Sequence, residues 1–191
     1  MEAFLVSTGL VALGEMGDKT QLLAILLAVK FRKPWPIVSG ILVATLINHA
    51  LAGAAGQWVA QTIDPQWLRW IIGVSFLAMA LWMLVPDQID QNLGPPRGWH
   101  LGVFGSTVVA FFLAEMGDKT QIATVALAAR YEMTVVVVIG TTLGMMIANA
   151  PAVWLGERIA QKFSMRLVHI VSAIIFAILG ILTLLNVGRL F

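Results

Sequence analysis

No cysteine occurs in the 191 residues, which excludes disulfide bonds, thiolate metal ligands and a cysteine nucleophile. Charge is almost as scarce. Asp, Glu, Lys and Arg make up 12% of the chain, whereas a soluble domain carries about twice that share. The net charge is only +2 at a pI near 9.3. The basic residues sit at segment ends rather than on one face, so no nucleic-acid partner is expected. A basic n-region is missing before the first apolar run, which begins Met1-Glu2-Ala3, and that run is expected to be a retained helix rather than a cleaved signal peptide. Apolar sequence is abundant: 59% of residues are hydrophobic and the mean hydropathy is +0.89. This composition predicts an all-α integral membrane protein, with lipid as its surroundings and room for about six spans of ~20 residues.

Charge, Pro and Gly divide the apolar sequence into six candidate spans, at about 3–29, 36–60, 67–85, 101–129, 134–157 and 166–187. Pro34 and Pro36 stop the first from running on. The stretch 86–100 holds Asp87, Asp90, Asn92, Gly94, Pro95 and Pro96 and reads as a linker between halves 1–85 and 101–191. All seven tryptophans (35, 58, 67, 70, 82, 99 and 154) fall near proposed ends, as interfacial anchors do.

Glu15-Met16-Gly17-Asp18-Lys19-Thr20-Gln21 recurs unchanged as Glu115 to Gln121, and Gly40/Gly140, Gly56/Gly156 and Ala60-Gln61/Ala160-Gln161 keep the same 100-residue offset. Three spans per half is an odd number, so the second half is expected to enter the membrane in the opposite sense. The result is two inverted three-helix repeats with a binding site at their interface near the midplane. Lys30, Arg32, Lys33, Arg97, Arg158, Lys162 and Arg166 gather on one side, against Arg69, Arg130 and Arg189 on the other. That bias places both termini outside.

Read as a continuous helix, the heptad puts Glu15 and Asp18 on one face, extended by Gln21, with Lys19 placed to pair with Glu15 four residues earlier. Gly14, Gly17 and Gly117 read as sites where another backbone approaches. Glu15, Asp18, Glu115 and Asp118 contribute −4 if ionised, and Lys19 with Lys119 returns +2. One divalent cation would neutralise the remainder. Without it the carboxylates are expected to take up protons, because crowded like charges in a poorly solvated site favour the neutral form. A single site alternating between cation and protons is the minimal design of an antiporter. Amide oxygens of Gln21, Gln121, Asn48 and Asn149 and hydroxyls of Thr20 and Thr120 would complete a hard donor set suited to Mn²⁺, Ca²⁺ or Mg²⁺.

Structural roles compete with these. Ionisable groups in spans are costly, and four of them in duplicated copies favour function over helix packing alone. Asn48 and Asn149 also suit interhelical hydrogen bonds, and Thr20 and Thr120 suit bonds to their own helix carbonyls. His49 reads as a packed, hydrogen-bonded side chain, Met16 and Met116 as core, and His100 and His169 carry no assignment.

The pattern Glu-x-Gly-Asp-Lys/Arg-Thr/Ser, matched by Glu15 to Thr20 and by Glu115 to Thr120, closely resembles the Gdt family of Ca²⁺/Mn²⁺–proton antiporters, related to the lysine-exporter superfamily. The resemblance covers essentially the whole chain. It implies that Glu15, Asp18, Glu115 and Asp118 bind the ion and exchange it for protons, with Lys19 and Lys119 in the proton coupling. The compact bacterial members are similar in length and look like manganese exporters of the MneA type. The long acidic linker of some eukaryotic members is absent here. Export of Mn²⁺ across a bacterial inner membrane is therefore expected, with a Ca²⁺/H⁺ antiporter and a passive divalent-cation channel as alternatives; the family leaves the ion open. No enzyme activity and no resident cofactor are expected. An aspartyl protease using Asp18 and Asp118 would need Gly-x-Gly-Asp, which neither copy supplies, and four carboxylates argue against a zwitterionic amino acid as cargo.

Overall fold

The computed structural model describes residues 1–85, 101–155 and 165–186, and eight helices account for nearly all of them. They are α1 (Glu2–Glu15), α2 (Lys19–Phe31), α3 (Pro34–Thr62), α4 (Pro65–Met83), α5 (Gly102–Glu115), α6 (Lys119–Tyr131), α7 (Thr134–Leu155) and α8 (Met165–Leu184). Each helix of the second half begins 100 residues after its counterpart, so the register of the heptad extends to the whole architecture. The segment 86–100 lies outside the described residues, as do Gly156, Ala160-Gln161, Arg97, Arg158, Lys162 and Arg189.

Four helices are long and apolar enough to cross a membrane: α3, α4, α7 and, over Leu167–Leu184, α8. The expected continuous spans 3–29 and 101–129 are not continuous. Each is a pair of short helices broken inside the heptad. Large apolar side chains such as Leu46, Leu51, Ile139, Ile174 and Ile178 stand exposed, a surface that water does not tolerate and lipid does. The six described tryptophans are exposed too.

Packing is dominated by contacts between halves. α1 lies along α7 and α3 along α5 and α6. Gly140 abuts Phe4 and Ser7, and Gly144 abuts Thr8 and Ala12, so α7 runs parallel to α1. Gly40 meets Phe104 and Thr107, and Gly56 meets Val125 and Ala128, so α3 runs parallel to α5 and α6. Trp35 at the start of α3 stacks edge-on against Trp154 at the end of α7, with ring centroids 5.5 Å apart, which sets α3 and α7 antiparallel. α1 and α5 therefore run in opposite directions.

α4 and α8 form an antiparallel pair, close-packed where Gly73 meets Gly180, and this pair departs from the symmetry of the chain. Among the described residues it packs mainly on α1 and α6 rather than on their counterparts α5 and α2. Two apolar clusters result. One joins Leu10, Leu68, Ile72, Phe76, Met83, Leu127 and Phe176 from α1, α4, α6 and α8. The other joins Leu23, Leu27, Ile41, Ala110, Phe111 and Ala152 from α2, α3, α5 and α7, with neither α4 nor α8 in it. Equivalent residues differ accordingly: Ala126 and Ala129 on α6 are 5% and 2% exposed, Leu26 and Val29 on α2 53% and 67%.

Candidate metal centre at the paired helix breaks

The local sequence explains each break. Glu15 ends α1, Met16 is extended (φ −64°, ψ 116°), and Gly17 takes φ 82°, where a side chain would be strained. Asp18 then caps α2, its Oδ1 accepting from the Lys19 amide at 2.6 Å. The second copy repeats this backbone, with Met116 at φ −66°, ψ 118° and Gly117 at φ 78°. Gln21 and Gln121 hold the loops closed: their Oε1 atoms accept from the Gly17 amide at 3.0 Å and the Gly117 amide at 2.8 Å. Two helix C-termini and two helix N-termini thus end at the heptads, offering partial charges of both signs.

The expected pairing of Lys19 with Glu15 does not form, because the helix that would align them is interrupted. The pairs cross between copies instead. Lys19 Nζ lies 2.8 Å from Asp118 Oδ1, and Lys119 Nζ lies 3.6 Å from Asp18 Oδ2. Thr20 and Thr120 do not bond back to helix carbonyls. Thr20 Oγ1 donates to Glu15 Oε2 at 2.6 Å and Thr120 Oγ1 to Glu115 Oε2 at 3.1 Å. Each heptad loop is closed within itself by threonine and glutamine, and the two are joined by lysine and aspartate.

Glu15, Asp18, Glu115, Asp118 and Lys119 are buried, whereas the Lys19 side chain is 23% exposed. Glu15, Glu115 and Asp118 each offer a carboxylate oxygen, all within 4.8 Å of one another. Two oxygens on one Ca²⁺-sized ion, each at about 2.3–2.6 Å, stand no more than about 5 Å apart, so the trio fits a single cation. Asp18 stands outside the trio, beside Lys119. Glu15 Oε1, Glu115 Oε1 and Asp118 Oδ2 accept no hydrogen bond among the described residues, leaving buried lone pairs aligned with cation binding.

The neighbouring long helices close the site. Gln121 Nε2 donates to Asn48 Oδ1 at 2.8 Å, and Asn48 Nδ2 to the Phe112 carbonyl at 3.3 Å. In the other copy Gln21 Nε2 donates to the Ala148 carbonyl at 3.0 Å, so a backbone oxygen replaces the asparagine. Asn149 Nδ2 bonds within its own helix, to the Met145 carbonyl at 3.2 Å and Sδ at 2.8 Å, and its Oδ1 is left without a partner among the described residues. The true counterpart of Asn48 is Ala148, and that of Asn149 is His49. His49 is not hydrogen-bonded as expected: among the described residues neither ring nitrogen has a partner.

A buried, two-copy acidic cluster at broken helices describes a membrane protein that handles cations. The family model for "Divalent cation/proton antiporter GDT1" matches residues 3–91 and 103–189, and the chain belongs to this family, one of transporters rather than enzymes. A protein of Vibrio cholerae described as "Putative manganese exporter" is 46% identical over 96% of this chain and 90% of its own length. More distant similarity reaches GDT1-like protein 5 of Arabidopsis thaliana, 27% identical over 97% of this chain and 96% of that protein. A GDT1-like protein of Synechocystis is 27% identical over 96% of this chain and 97% of that protein. No solved structure gives a significant match.

Proposed function

We propose that the chain exports Mn²⁺ across the bacterial cytoplasmic membrane in exchange for protons, by alternating access. The observation that carries this reading is the folding of two distant heptads into one buried cluster, with three carboxylate oxygens within 4.8 Å and each lysine paired to the other copy's aspartate. The halves 1–85 and 101–191, joined by the linker 86–100, act as two inverted three-span repeats; in each, the broken pair α1–α2 or α5–α6 counts as one span. The opposite directions of α1 and α5 support that topology. Both termini then lie outside, and the cation sits at the repeat interface.

The working cycle uses the residues as follows. Glu15, Glu115 and Asp118 bind the cation, and the two glutamates release their protons on doing so. Asp18 shares the negative charge. Lys19 and Lys119 hold the aspartates across the interface and keep the empty, protonated site compact. Gln21, Gln121, Asn48 and Asn149 shape the walls, with Thr20 and Thr120 orienting the glutamates. The one-sided packing of α4–α8 favours exchange over a channel: among the described residues these helices pack on the α1–α6 side and not on the α2–α5 side. With the orientation expected from Lys and Arg, the α2–α5 side is cytoplasmic and this is the inward-facing state. A swing of α4–α8 onto α2 and α5 would produce the outward-facing one.

The similarity to the Vibrio protein favours Mn²⁺ over Ca²⁺ as the cargo. The test is flux in proteoliposomes with lumenal pH recorded. Protons are expected to move against Mn²⁺, and Glu15→Gln or Asp118→Asn should abolish both movements while the protein stays folded. Mn²⁺ flux indifferent to the proton gradient would establish a channel, and coupling to Ca²⁺ alone would reassign the substrate.

A further inference from the structure

α1 runs to the acidic cluster, ending at Glu15, and α6 leaves it, beginning at Lys119. At their far ends the two helices meet again. Tyr131, the last residue of α6, donates its hydroxyl hydrogen to Oε1 of Glu2, the first residue of α1, at 3.3 Å. A passage from the carboxylates to this surface on the α1–α6 side has to part these helices and break that bond. The 100-residue register sets Phe31 and Gly102 in the equivalent places on α2 and α5. Phe31 has no hydroxyl to give and Gly102 no side chain to receive one. A mirror arrangement that closes α2 on α5 therefore lacks the bond.

Arg130 gives the bond something to work against. It is 5% exposed, whereas its counterpart Lys30 is exposed. Its Cζ lies 5.3 Å from the centroid of the Tyr131 ring, and its Nε and Nη1 meet no hydrogen-bond partner among the described residues. A buried guanidinium that is incompletely paired costs free energy, and water reaching it through an open mouth removes that cost. Closure at this end is thus opposed by Arg130 and favoured by the Tyr131–Glu2 bond.

We propose that Glu2 and Tyr131 latch the α1–α6 mouth and bias the exchanger toward the state open on the α2–α5 side. This rests on the alternating-access reading above and deepens it. The two residues touch neither the cation cluster nor its walls; they position the helices that lead to it. One hydrogen bond shifts a two-state balance by about threefold to tenfold. That is small enough for a cargo with unequal affinity for the two states to overcome. An otherwise duplicated transporter thereby acquires a preferred resting side.

The experiment uses the full chain in detergent micelles, where both mouths are open to a water-soluble maleimide. Two single-cysteine reporters are read in parallel: Ala126→Cys on α6, packed in the parent, and Val29→Cys on α2, exposed there. Tyr131→Phe, which installs the residue of the other repeat, should speed labelling of Ala126→Cys about threefold to tenfold and slow that of Val29→Cys. Glu2→Ala should do the same, and the two changes together should add nothing further. Glu2→Gln, which keeps an acceptor oxygen, should restore the parent rates. Unchanged rates in both Tyr131→Phe and Glu2→Ala would overturn the latch and leave the transport reading standing. A rise at Ala126→Cys without a fall at Val29→Cys would mean local loosening and would overturn it as well. Equal labelling of the two reporters in the parent chain would overturn the latch together with the inward-facing assignment on which it rests.

Discussion

The crossed ion pairs separate the folded site from a continuous-helix heptad. In the continuous helix Lys19 couples to Glu15; in the structure it couples to Asp118 at 2.8 Å. At an effective dielectric of ~20 the attraction across that distance is about 6 kcal/mol, and desolvating two ions offsets several kcal/mol of it. A net coupling of about 2–4 kcal/mol is expected, since removing one partner of a buried pair costs about 3–5 kcal/mol and the second removal then costs much less. The assay is a double-mutant cycle of Lys19→Ala with Asp118→Ala, read by equilibrium unfolding in mixed micelles with chelator present. A parallel cycle of Lys19→Ala with Glu15→Ala should give a distinctly smaller coupling, because Glu15 reaches Lys19 only through their shared neighbour Asp118. Glu15 meets Thr20 rather than Lys19. Coupling to Glu15 as large as that to Asp118 would refute the interrupted helix and the cross-repeat site built on it.

Gly17→Ala should destabilise the protein by about 1–2 kcal/mol, because φ 82° is a left-handed conformation that a side chain resists; Gly14→Ala, which meets only the Met83 methyl at 3.5 Å, should be close to neutral, and equal costs would argue against the break. The apparent Mn²⁺ affinity should rise with pH, because the carboxylates must lose their protons to bind the ion. Two protons released per cation would give a slope approaching two decades per pH unit, whereas a flat profile would mean that the carboxylates stay ionised without metal and would sink proton exchange at this site. The absence of native cysteine makes single-cysteine labelling clean: Val29→Cys should react with a membrane-impermeant maleimide in the resting state and Ala129→Cys should not, and equal reactivity would remove the one-sided seal.

The repeat was legible in the sequence because identity at a fixed offset needs no knowledge of structure. The 100-residue register extends to all eight described helices; Glu15, Glu115 and Asp118 lie together, with Asp18 outside their group. The break within the heptad was missed. In an apolar run Gly17 resembles a packing glycine, and the informative feature was the dipeptide: a glycine that can end a helix, followed by an aspartate that can cap the next. Reading Gly17-Asp18 as punctuation would have split the span and withdrawn the Lys19–Glu15 pair. The partners of Lys19 and Lys119 lie about a hundred residues away and arise only from tertiary packing. The two asparagines are offset by one residue, so the position equivalent to Asn149 is His49 rather than Asn48.

The departure of the fold from its own symmetry bears most directly on mechanism. Two heptads of identical sequence adopt the same backbone, yet Lys19 is partly exposed and Lys119 is not, and among the described residues α4–α8 packs on α1 and α6 rather than on α2 and α5. A pore that conducts would have no need of this difference. If the two halves can exchange environments, the same sequence supports a mirror arrangement in which α2 and α5 are covered. The residues at the two surfaces are not identical: Ala126 and Ala129 let α4 approach α6 closely, whereas Leu26 and Val29 present bulk in their place. The two arrangements therefore differ in energy, and the packed alanines favour closure on the α1–α6 side. A bound cation or a proton shifts that balance only through its different affinity for the two states. The crossed pairs are placed to feel the difference, because they tie one repeat to the other at the carboxylates, as Gln21 with Ala148 and Gln121 with Asn48 do at the walls.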